Sequence, residues 1–189
     1  MMKKELRRIY GQSRLSLSLD DYNYYSDKIS NLFKNIDLGL FKSVLTYFPI
    51  VQKQEFDIRR IEQLLQTENI DIKLSWPKIQ KDSHSFDAFQ INPLYGFIEN
   101  EYHIPEPFNG SYTEPESIDL ILVPLIIFSR QGFRVGYGKG YYDRFLSRCR
   151  PNALKVGFSF FEPVDTIDDI HHFDVPLNYC ITPTQVYEF

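Results

Sequence analysis

The most constraining feature of this 189-residue chain is a short apolar run followed by a glycine-rich loop and then a helical pattern. Leu120 to Val123 is aliphatic at every position, which is typical of a strand that a parallel sheet buries on both faces. The loop extends from about Ser129 to Gly140, and a helix is predicted to begin near Tyr141. This order of buried strand, glycine-rich loop and helix is typical of an α/β protein.

The rest of the chain alternates predicted helices with predicted strands. Helices are predicted over 3–13, after a capping box that begins at Ser18, and from about 55 to 67. Strands are predicted over 44–48, 70–76, 86–91, 155–160 and 179–182, with Pro77 ending the second of them. We interpret Asn92 to Ser117 as mostly loop. The pattern predicts one domain over residues 1–189, a three-layer α/β/α sandwich with a mostly parallel central sheet.

Composition limits the classes of function. Lys plus Arg is 21 and Asp plus Glu is 25, so the net charge is −4, which argues against coating nucleic acid by phosphate neutralisation. No apolar run approaches the roughly 18 residues of a membrane helix, and the N-terminal residues do not resemble a secretory signal. The two cysteines, Cys149 and Cys180, fit no metal-binding spacing, so we expect a cytoplasmic protein without a disulfide framework.

The glycine-rich loop is the segment best suited to chemistry. Gly136, Gly138 and Gly140 alternate, and a loop without Cβ atoms can turn its backbone N–H groups inward toward a phosphate. The helix that follows adds partial positive charge at its start. Arg134 and Lys139 add full charges, the former able to bind phosphate oxygens in a bidentate way. The pattern indicates a phosphate site.

Asp143 extends this interpretation to a metal ion. It lies one turn into the predicted helix, and Mg²⁺ prefers carboxylates together with phosphate oxygens. Taken alone, the alternating glycines are equally consistent with a flexible turn, and the segment is neither a Walker loop nor a dinucleotide fingerprint. The charges of Arg134, Lys139 and Asp143 favour phosphate binding over the flexible turn.

The run from Asp119 through Leu146 resembles the signature of the 5-formyltetrahydrofolate cyclo-ligase family, whose members are also called 5,10-methenyltetrahydrofolate synthetases. Four other segments are similar to family motifs in the same order: Lys3 to Arg7, Tyr47 to Glu55, Ile104 to Pro107 and His172 to Leu177. The chain departs from many relatives before the third segment, where Tyr102 and His103 stand in place of a tryptophan.

The resemblance implies a ligase that uses ATP as co-substrate and Mg²⁺ to convert 5-formyltetrahydrofolate to 5,10-methenyltetrahydrofolate, releasing ADP and phosphate. The formyl oxygen attacks the γ-phosphate of ATP, N10 of the folate attacks the activated carbon, and phosphate leaves as the ring closes. The protein aligns the reactants and stabilises the transferring phosphoryl group. We expect a monomer that acts on this folate, with or without a polyglutamate tail, and has no nucleic-acid or membrane partner.

The resemblance also implies residue roles. The catalytic residues would be Arg134, Lys139 and Tyr141. The ATP-binding residues would be Lys3, Lys4, Arg7, Arg134, Gly136, Tyr137, Gly138, Lys139, Gly140, Tyr141 and Tyr142. The folate-binding residues would be Ile50, Glu55, Tyr137, Gly138, Lys139, Gly140 and Tyr141. The Mg²⁺ ligands would be Asp143 and Asp174.

Each role has a plainer structural alternative. Glu55 suits the two-donor edge of a pterin ring, but it is equally a carboxylate in the first turn of the predicted helix. Asp174 is equally a turn residue, and the basic residues near the N-terminus are equally a solvated helix face. His171 and His172 are left out of the site because the reaction does not clearly need an acid–base histidine.

Two other functions remain open from the sequence. One is a sugar-phosphate isomerase or acyl-CoA-handling enzyme on a similar scaffold, because fold does not determine function. The other is a non-catalytic folate- or nucleotide-binding module. The first would need neither the basic N-terminal motif nor a carboxylate for Mg²⁺. The second should have lost one of Arg134, Lys139, Asp143 and Glu55, and the chain retains all four.

Overall fold

The computed structural model describes residues 1–68, 71–80, 83–91, 96–101 and 103–189. The described residues form four α-helices: α1 (Lys3–Leu15), α2 (Leu19–Phe33), α3 (Arg59–Glu68) and α4 (Tyr141–Leu146). The strands are β1 (Ser43–Leu45), β2 (Lys73–Gln80), β3 (Ser85–Gln90), β4 (Phe97–Glu99), β5 (Pro105–Pro107), β6 (Ser111–Thr113), β7 (Leu120–Val123), β8 (Ile127–Phe128), β9 (Arg134–Val135), β10 (Leu154–Phe158), β11 (Tyr179–Ile181) and β12 (Val186–Glu188). Two 3₁₀ turns cover Val51–Lys53 and Pro115–Ser117.

The main sheet confirms the predicted α/β class. Its eight strands lie in the order β12-β11-β10-β7-β1-β2-β3-β6. The five strands from β11 to β2 are parallel to one another, whereas β12, β3 and β6 run antiparallel to their neighbours. All four residues of β7 are buried at the centre of the sheet, as its aliphatic composition predicts.

Alternate residues of β7 pack against different layers. Leu120 and Leu122 belong to a hydrophobic cluster that includes buried residues of α2 and α3. Ile121 and Val123 belong to a second cluster that includes buried residues of α4. The helices therefore cover both faces of the sheet, which confirms the predicted three layers. Helix α1 packs separately, with Leu6 against the β8–β9 hairpin.

The helix boundaries follow local hydrogen bonds. Ser18 caps α2, its hydroxyl accepting the N–H of Asp21 at 3.0 Å, as the capping box predicts. Helix α3 begins at Arg59, four residues later than predicted, so Glu55 lies before the helix and not in its first turn. The first-turn alternative for Glu55 is therefore wrong. No helix in the described part of the chain is long and apolar enough to cross a membrane.

Strand β2 continues through Pro77, which corrects the prediction that this proline ends it. Pro77 pairs with Ala88 of β3, but its nitrogen points away from that strand. The N–H of Ile79, two residues on and therefore on the same side, donates to the Glu106 carboxylate at 3.1 Å. The last residue pair between β1 and β2 is Leu45 with Ser75, so β1 has ended before it reaches Pro77. No strand on that side needs an N–H from position 77, and proline is tolerated there.

The segment from Asn92 to Ser117 contains more structure than the predicted loop. Strands β4 and β5 form an antiparallel pair, β6 joins the edge of the main sheet, and a 3₁₀ turn follows. Each strand has three residues, and β5 begins and ends with proline, so none shows the periodicity by which strands are predicted. Residues 92–95 and Tyr102 lie outside the described residues.

Candidate functional site

A cavity of about 450 Å³ opens where β1 and β7 end. The segment after β1 supplies Tyr47 and Ile50 to its wall, and Pro124 directly follows β7. The remaining walls come from α1, the β2–β5 region, the glycine-rich loop and the start of α4. The carboxyl ends of parallel strands are where α/β proteins bind ligands, so the cavity is the candidate site.

The cavity brings together nearly all the predicted site residues. Those that line it are Lys3, Arg7, Ile50, Glu55, Arg134, Gly136, Tyr137, Gly138, Lys139, Gly140, Tyr141, Tyr142, Asp143 and Asp174. Lys4 is the exception, because it is exposed on α1 and does not line the cavity. His103 is also exposed and does not line the cavity.

Arg134 is fixed at one end of the cavity. It lies in β9, so a strand and not a flexible loop carries it. One guanidinium nitrogen donates to Asp143 Oδ1 at 2.8 Å and another donates to the Val175 carbonyl. Burial lowers the pKa of Arg134, while the carboxylates of Asp143 and Asp174 act in the opposite direction. A buried arginine with a fixed orientation is suited to binding an anion.

Lys3 and Asp174 form an ion pair at the same end. The Asp174 carboxylate also accepts the backbone N–H of His171 at 2.6 Å. Partial burial acts to raise the pKa of Asp174, but the His171 N–H and the Lys3 ammonium outweigh it and hold this pKa below its ordinary value. Asp174 is therefore a carboxylate at neutral pH, and the contact joins α1 to a segment 171 residues away.

The glycine-rich loop lies against α1. Arg7 Nε donates to the Gly136 carbonyl at 2.7 Å. Gly138 has φ +90°, and a Cβ atom placed there would lie 2.9 Å from the Arg7 guanidinium carbon. Gly140, with φ +70°, is the residue immediately before α4. The loop thus needs glycine at two positions, where it approaches a cation and where it enters the helix.

Glu55 lines the same cavity and is 4% exposed. Its Oε2 accepts the Ile50 N–H at 2.7 Å, and its Oε1 accepts the Tyr137 hydroxyl at 2.5 Å. Burial raises the pKa of Glu55 above its ordinary value. The Ile50 N–H, the Tyr137 hydroxyl and the charge of Arg14 act in the opposite direction. The left-handed conformation of Gln54, with φ 48°, turns the chain into Glu55 after the 3₁₀ turn.

Tyr47 and Tyr142 also line the cavity. Tyr142 keeps its hydroxyl buried with no hydrogen-bond partner among the described residues. Burial raises the pKa of Tyr142, and the nearby charge of Glu55 raises it further, whereas Arg134 lowers it. Tyr47 is 5% exposed, and burial and Glu55 raise its pKa as well. Both phenols are therefore neutral hydrogen-bonding groups at physiological pH.

Tyr47 and Glu106 line the cavity and Arg14 bonds the Tyr137 hydroxyl, but none of the three was predicted as a site residue from the sequence. Arg14 lies eight residues after Leu6 and shares its buried face of α1, so a charge on an apolar face was the available signal. Glu106 lies in the cavity wall, where its Oε1 accepts the N–H of Ile79 and, at 2.9 Å, the side-chain amide of Asn100. It falls within a segment that resembles a family motif, but no role was inferred for it.

The carboxylates near Arg134 fit a magnesium site that a ligand completes. No cluster of three or more His, Cys, Asp or Glu side chains in the described ranges could hold a metal ion by itself. The carboxylates of Asp143 and Asp174 both act to raise the pKa of Arg134, and the N–H of Val175, the residue after Asp174, donates to Asp143 at 3.2 Å. The two carboxylates are therefore close neighbours. Mg²⁺ is commonly held by one or two carboxylates together with substrate phosphates, which this pair allows.

Comparison with known proteins agrees with the geometry of the site. Residues 2–183 match the model of the 5-formyltetrahydrofolate cyclo-ligase family. The chain is 28% identical over 184 residues to the 5-formyltetrahydrofolate cyclo-ligase of Mycoplasma pneumoniae, covering 96% of this chain and 98% of that one.

Solved structures give the same result. The NMR structure of 5,10-methenyltetrahydrofolate synthetase from Aquifex aeolicus matches 100% of this chain and 93% of its own, with a TM-score of 0.81 and 28% identity. The synthetase from Mycoplasma pneumoniae matches 97% of this chain and 99% of its own, with a TM-score of 0.76 and 25% identity.

Proposed function

The chain belongs to the 5-formyltetrahydrofolate cyclo-ligase family, and from this premise we propose that its cavity binds ATP and 5-formyltetrahydrofolate side by side. Its activity is the ATP-dependent conversion of 5-formyltetrahydrofolate to 5,10-methenyltetrahydrofolate. The observation that carries the proposal is that one cavity is lined by the Arg134 guanidinium, which is paired with Asp143, and by the buried Glu55 carboxylate, which has no ion-pair partner among the described residues. The family match favours this activity over a sugar-phosphate or acyl-CoA enzyme.

The cations that line the cavity beside the glycine-rich loop would bind the phosphates of ATP. Lys3, Arg7, Arg134 and Lys139 all line the cavity, and the backbone of the loop can approach the phosphates closely. Arg134 is already oriented by Asp143 and Val175, so little reorganisation is needed when charge develops on the transferring phosphoryl group. We propose Arg134 and Lys139 as the residues that stabilise that charge, with Tyr141 beside them.

Glu55 would bind the pterin ring. A pterin presents an amino group and a ring N–H on one edge, and a carboxylate accepts two such donors. The peptide N–H of Ile50 and the hydroxyl of Tyr137 hold the Glu55 carboxylate in one orientation before the folate arrives. The Ile50 side chain would supply apolar contact to the ring. This placement leaves the reacting formyl group between Glu55 and Arg134, near Tyr142.

Asp143 and Asp174 are the residues that we propose would hold Mg²⁺. When bound, the ion neutralises charge on the ATP phosphates. The two carboxylates are fixed by Arg134 and Lys3 respectively, so these cations orient the ligands as well as lining the phosphate site.

The proposal also covers the setting of the reaction. We propose a monomer, folded as one domain over residues 1–189, that acts in the cytoplasm on folates with or without a polyglutamate tail. The free thiols of Cys149 and Cys180 agree with a reducing compartment. Lys4 is proposed to reach ATP from the exposed side of α1, and neither nucleic acid nor a membrane is expected as a partner.

A spectrophotometric assay tests the activity. The purified protein is mixed with 5-formyltetrahydrofolate, Mg²⁺ and ATP, and the near-ultraviolet absorbance of methenyltetrahydrofolate is followed. We expect a rise that is absent without ATP. A folded protein that binds ATP but gives no rise would contradict the proposal and support the non-catalytic binding module.

Glu55→Gln tests the orientation of the folate. The amide keeps the shape of the side chain but loses the charge, and hydrogen bonds to charged groups contribute about 1.5–3 kcal/mol. We expect calorimetry to show folate binding weakened by about ten- to a hundredfold, with ATP binding unchanged. Glu99→Gln, at an exposed position in β4, is the matched control. Equal loss of both ligands in Glu55→Gln would contradict the assignment.

A further inference from the structure

We propose that Arg14 is a positioning residue that keeps Glu55 an acceptor toward the folate by fixing the direction of the Tyr137 hydroxyl. The proposal rests on the proposed function of Glu55 as the pterin ligand. It concerns a network of three side chains, Arg14, Tyr137 and Glu55, which we call the Arg14 relay. These residues come from α1, from the glycine-rich loop and from the segment after β1.

Arg14 is 4% exposed, and each of its described hydrogen bonds goes to a neutral oxygen. Its Nε donates to the Lys53 carbonyl at 2.8 Å, and its Nη1 donates to the Leu125 carbonyl at 3.0 Å. Its Nη2 donates to the Tyr137 hydroxyl at 2.7 Å. Burying a guanidinium is costly, and two carbonyls with a phenol satisfy its hydrogen bonds without cancelling its charge. That charge acts on the Glu55 carboxylate and lowers its pKa.

The direction of the Tyr137 hydroxyl follows from the chemistry of its neighbours. A guanidinium can only donate, so the hydroxyl oxygen of Tyr137 must accept from Arg14. The single hydroxyl hydrogen is then available for Glu55 Oε1, at an O–O distance of 2.5 Å. A protonated Glu55 that donated to Tyr137 would compete with this arrangement. The Arg14 relay thus selects the ionised carboxylate, with lone pairs left for the pterin donors.

The surroundings of Glu55 contain few other groups that could play this part. The titratable and charged side chains that face Glu55 or line a cavity beside it are Arg14 of α1, Tyr22 of α2, Tyr47, Lys53 and Asp57 after β1, Arg59 of α3, Tyr137 of the loop and Tyr142 of α4. Tyr22 donates to the backbone carbonyl of Glu55 at 2.8 Å, and Lys53 and Arg59 are exposed. The tyrosines are neutral, so Arg14 is the buried positive charge in this set.

The pH dependence of folate binding reports on the protonation of Glu55. Burial raises the pKa of Glu55, and both Arg14 and Tyr137 act to lower it. Removing either member of the relay therefore raises this pKa further. Folate binding through the carboxylate is lost as pH falls through the pKa of Glu55, so the acid limb of binding moves to higher pH. A purely structural role for Arg14 would not move this limb.

The experiment measures the dissociation constant of 5-formyltetrahydrofolate by calorimetry between about pH 5.5 and 8.5, because a shifted carboxyl group can titrate in this range. Tyr137→Phe removes the hydroxyl of the relay and leaves the other two bonds of Arg14 in place. Arg14→Met removes the charge. Arg8→Met, at an exposed position of the same helix, is the matched control. The ATP dissociation constant is measured in parallel.

We expect Tyr137→Phe and Arg14→Met each to move the acid limb of folate binding upward by about one pH unit. Arg14→Met should keep the parent dissociation constant for ATP, and Arg8→Met should keep the parent values for both ligands. The double variant should move the limb at least as far as either single variant, because the Tyr137 hydroxyl and the Arg14 charge both lower the pKa of Glu55. An unmoved limb in Tyr137→Phe would overturn the proposal even if Arg14→Met failed to fold. An Arg14→Met protein with a lower melting temperature and an unmoved limb would also overturn it.

Glu55→Gln separates this proposal from the function on which it rests. If that variant binds folate as tightly as the parent protein does, the pterin assignment fails and the relay has nothing to act on. If Glu55→Gln loses folate but the two relay variants keep the parent pH profile, the pterin assignment stands and the relay alone is wrong.

Discussion

At the scale of residues, Arg134 and Glu55 are both buried, but their partners differ in charge. Arg134 donates to the carboxylate of Asp143, whereas Glu55 accepts only from a peptide N–H and a phenol. The carboxylate beside Arg134 compensates part of its charge and holds it in place. Glu55 receives no ion pair from the described part of the chain, so its charge is available to a ligand that carries donors.

Arg134→Ala should remove most of the turnover. The variant loses the fixed cation beside the phosphoryl group, and loss of one such donor commonly costs about 10²- to 10³-fold in kcat. Steady-state assays should show this loss, while circular dichroism shows an unchanged fold. Arg130→Ala is the matched control, since its ion pair with Asp165 is exposed. Near-normal kcat in Arg134→Ala would contradict the role.

Most cavity residues could be predicted because they lie in short motifs, in which the types and spacing of neighbouring residues indicate the chemistry. The alternating glycines with Arg134, Lys139 and Asp143 are an example. Arg14 could not be found in this way, because its partners lie 39, 111 and 123 residues away and only the folded chain brings them together. Glu55 was predicted from the resemblance alone, whereas its position before α3 is a result of the structure.

At the scale of elements, long or periodic segments were predicted well and short ones poorly. The start of α2 and the burial of β7 follow from a cap and an aliphatic run. Strands of two or three residues, such as β4, β5, β8 and β9, are too short to show a periodicity, and they form by pairing with one another, β4 with β5 and β8 with β9. Pro77 was interpreted as a stop because its neighbours across the sheet were not known.

The glycine-rich loop supplies a prediction at this scale. Gly138→Ala introduces a Cβ atom 2.9 Å from the Arg7 guanidinium carbon at a residue with φ +90°, which costs about 1–2 kcal/mol of backbone strain. We expect a higher KM for ATP and a lower melting temperature. Gly11→Ala, inside α1 with nothing within 4 Å of the new Cβ, should instead be neutral or stabilising by up to about 1 kcal/mol. A Gly138→Ala variant with the parent KM would show that the loop does not approach ATP closely.

At the scale of the whole molecule, α1 connects the cavity to the β8–β9 hairpin. Its exposed side is polar, and its inner side carries Leu6 in a cluster with Ile127, Val135 and Ile167. The same helix places Lys3 on Asp174 and Arg7 on the Gly136 carbonyl. The packing of α1 therefore determines where Lys3 and Arg7 lie in the phosphate site.

Leu6→Ala tests whether the molecule unfolds as one unit. Leu6 is fully buried, and such truncations cost about 2–5 kcal/mol. Trp76, the single tryptophan, lies in a different hydrophobic cluster and reports on that region by fluorescence. For one domain, the denaturant midpoints from Trp76 fluorescence and from far-ultraviolet circular dichroism should fall together. A Trp76 transition that keeps the parent midpoint would indicate two independently folding units.

The contacts of α1 also have a consequence for the order in which the site can form during translation. Arg14 bonds Tyr137, 123 residues further along the chain, and Lys3 bonds Asp174, 171 residues further along. The helix therefore leaves the ribosome long before these partners do. A nascent chain that stops short of position 174 already holds the basic residues and the glycine-rich loop, but it lacks the carboxylate that orients Lys3. The phosphate site can therefore be completed only after the segment that carries Asp174 has been synthesised.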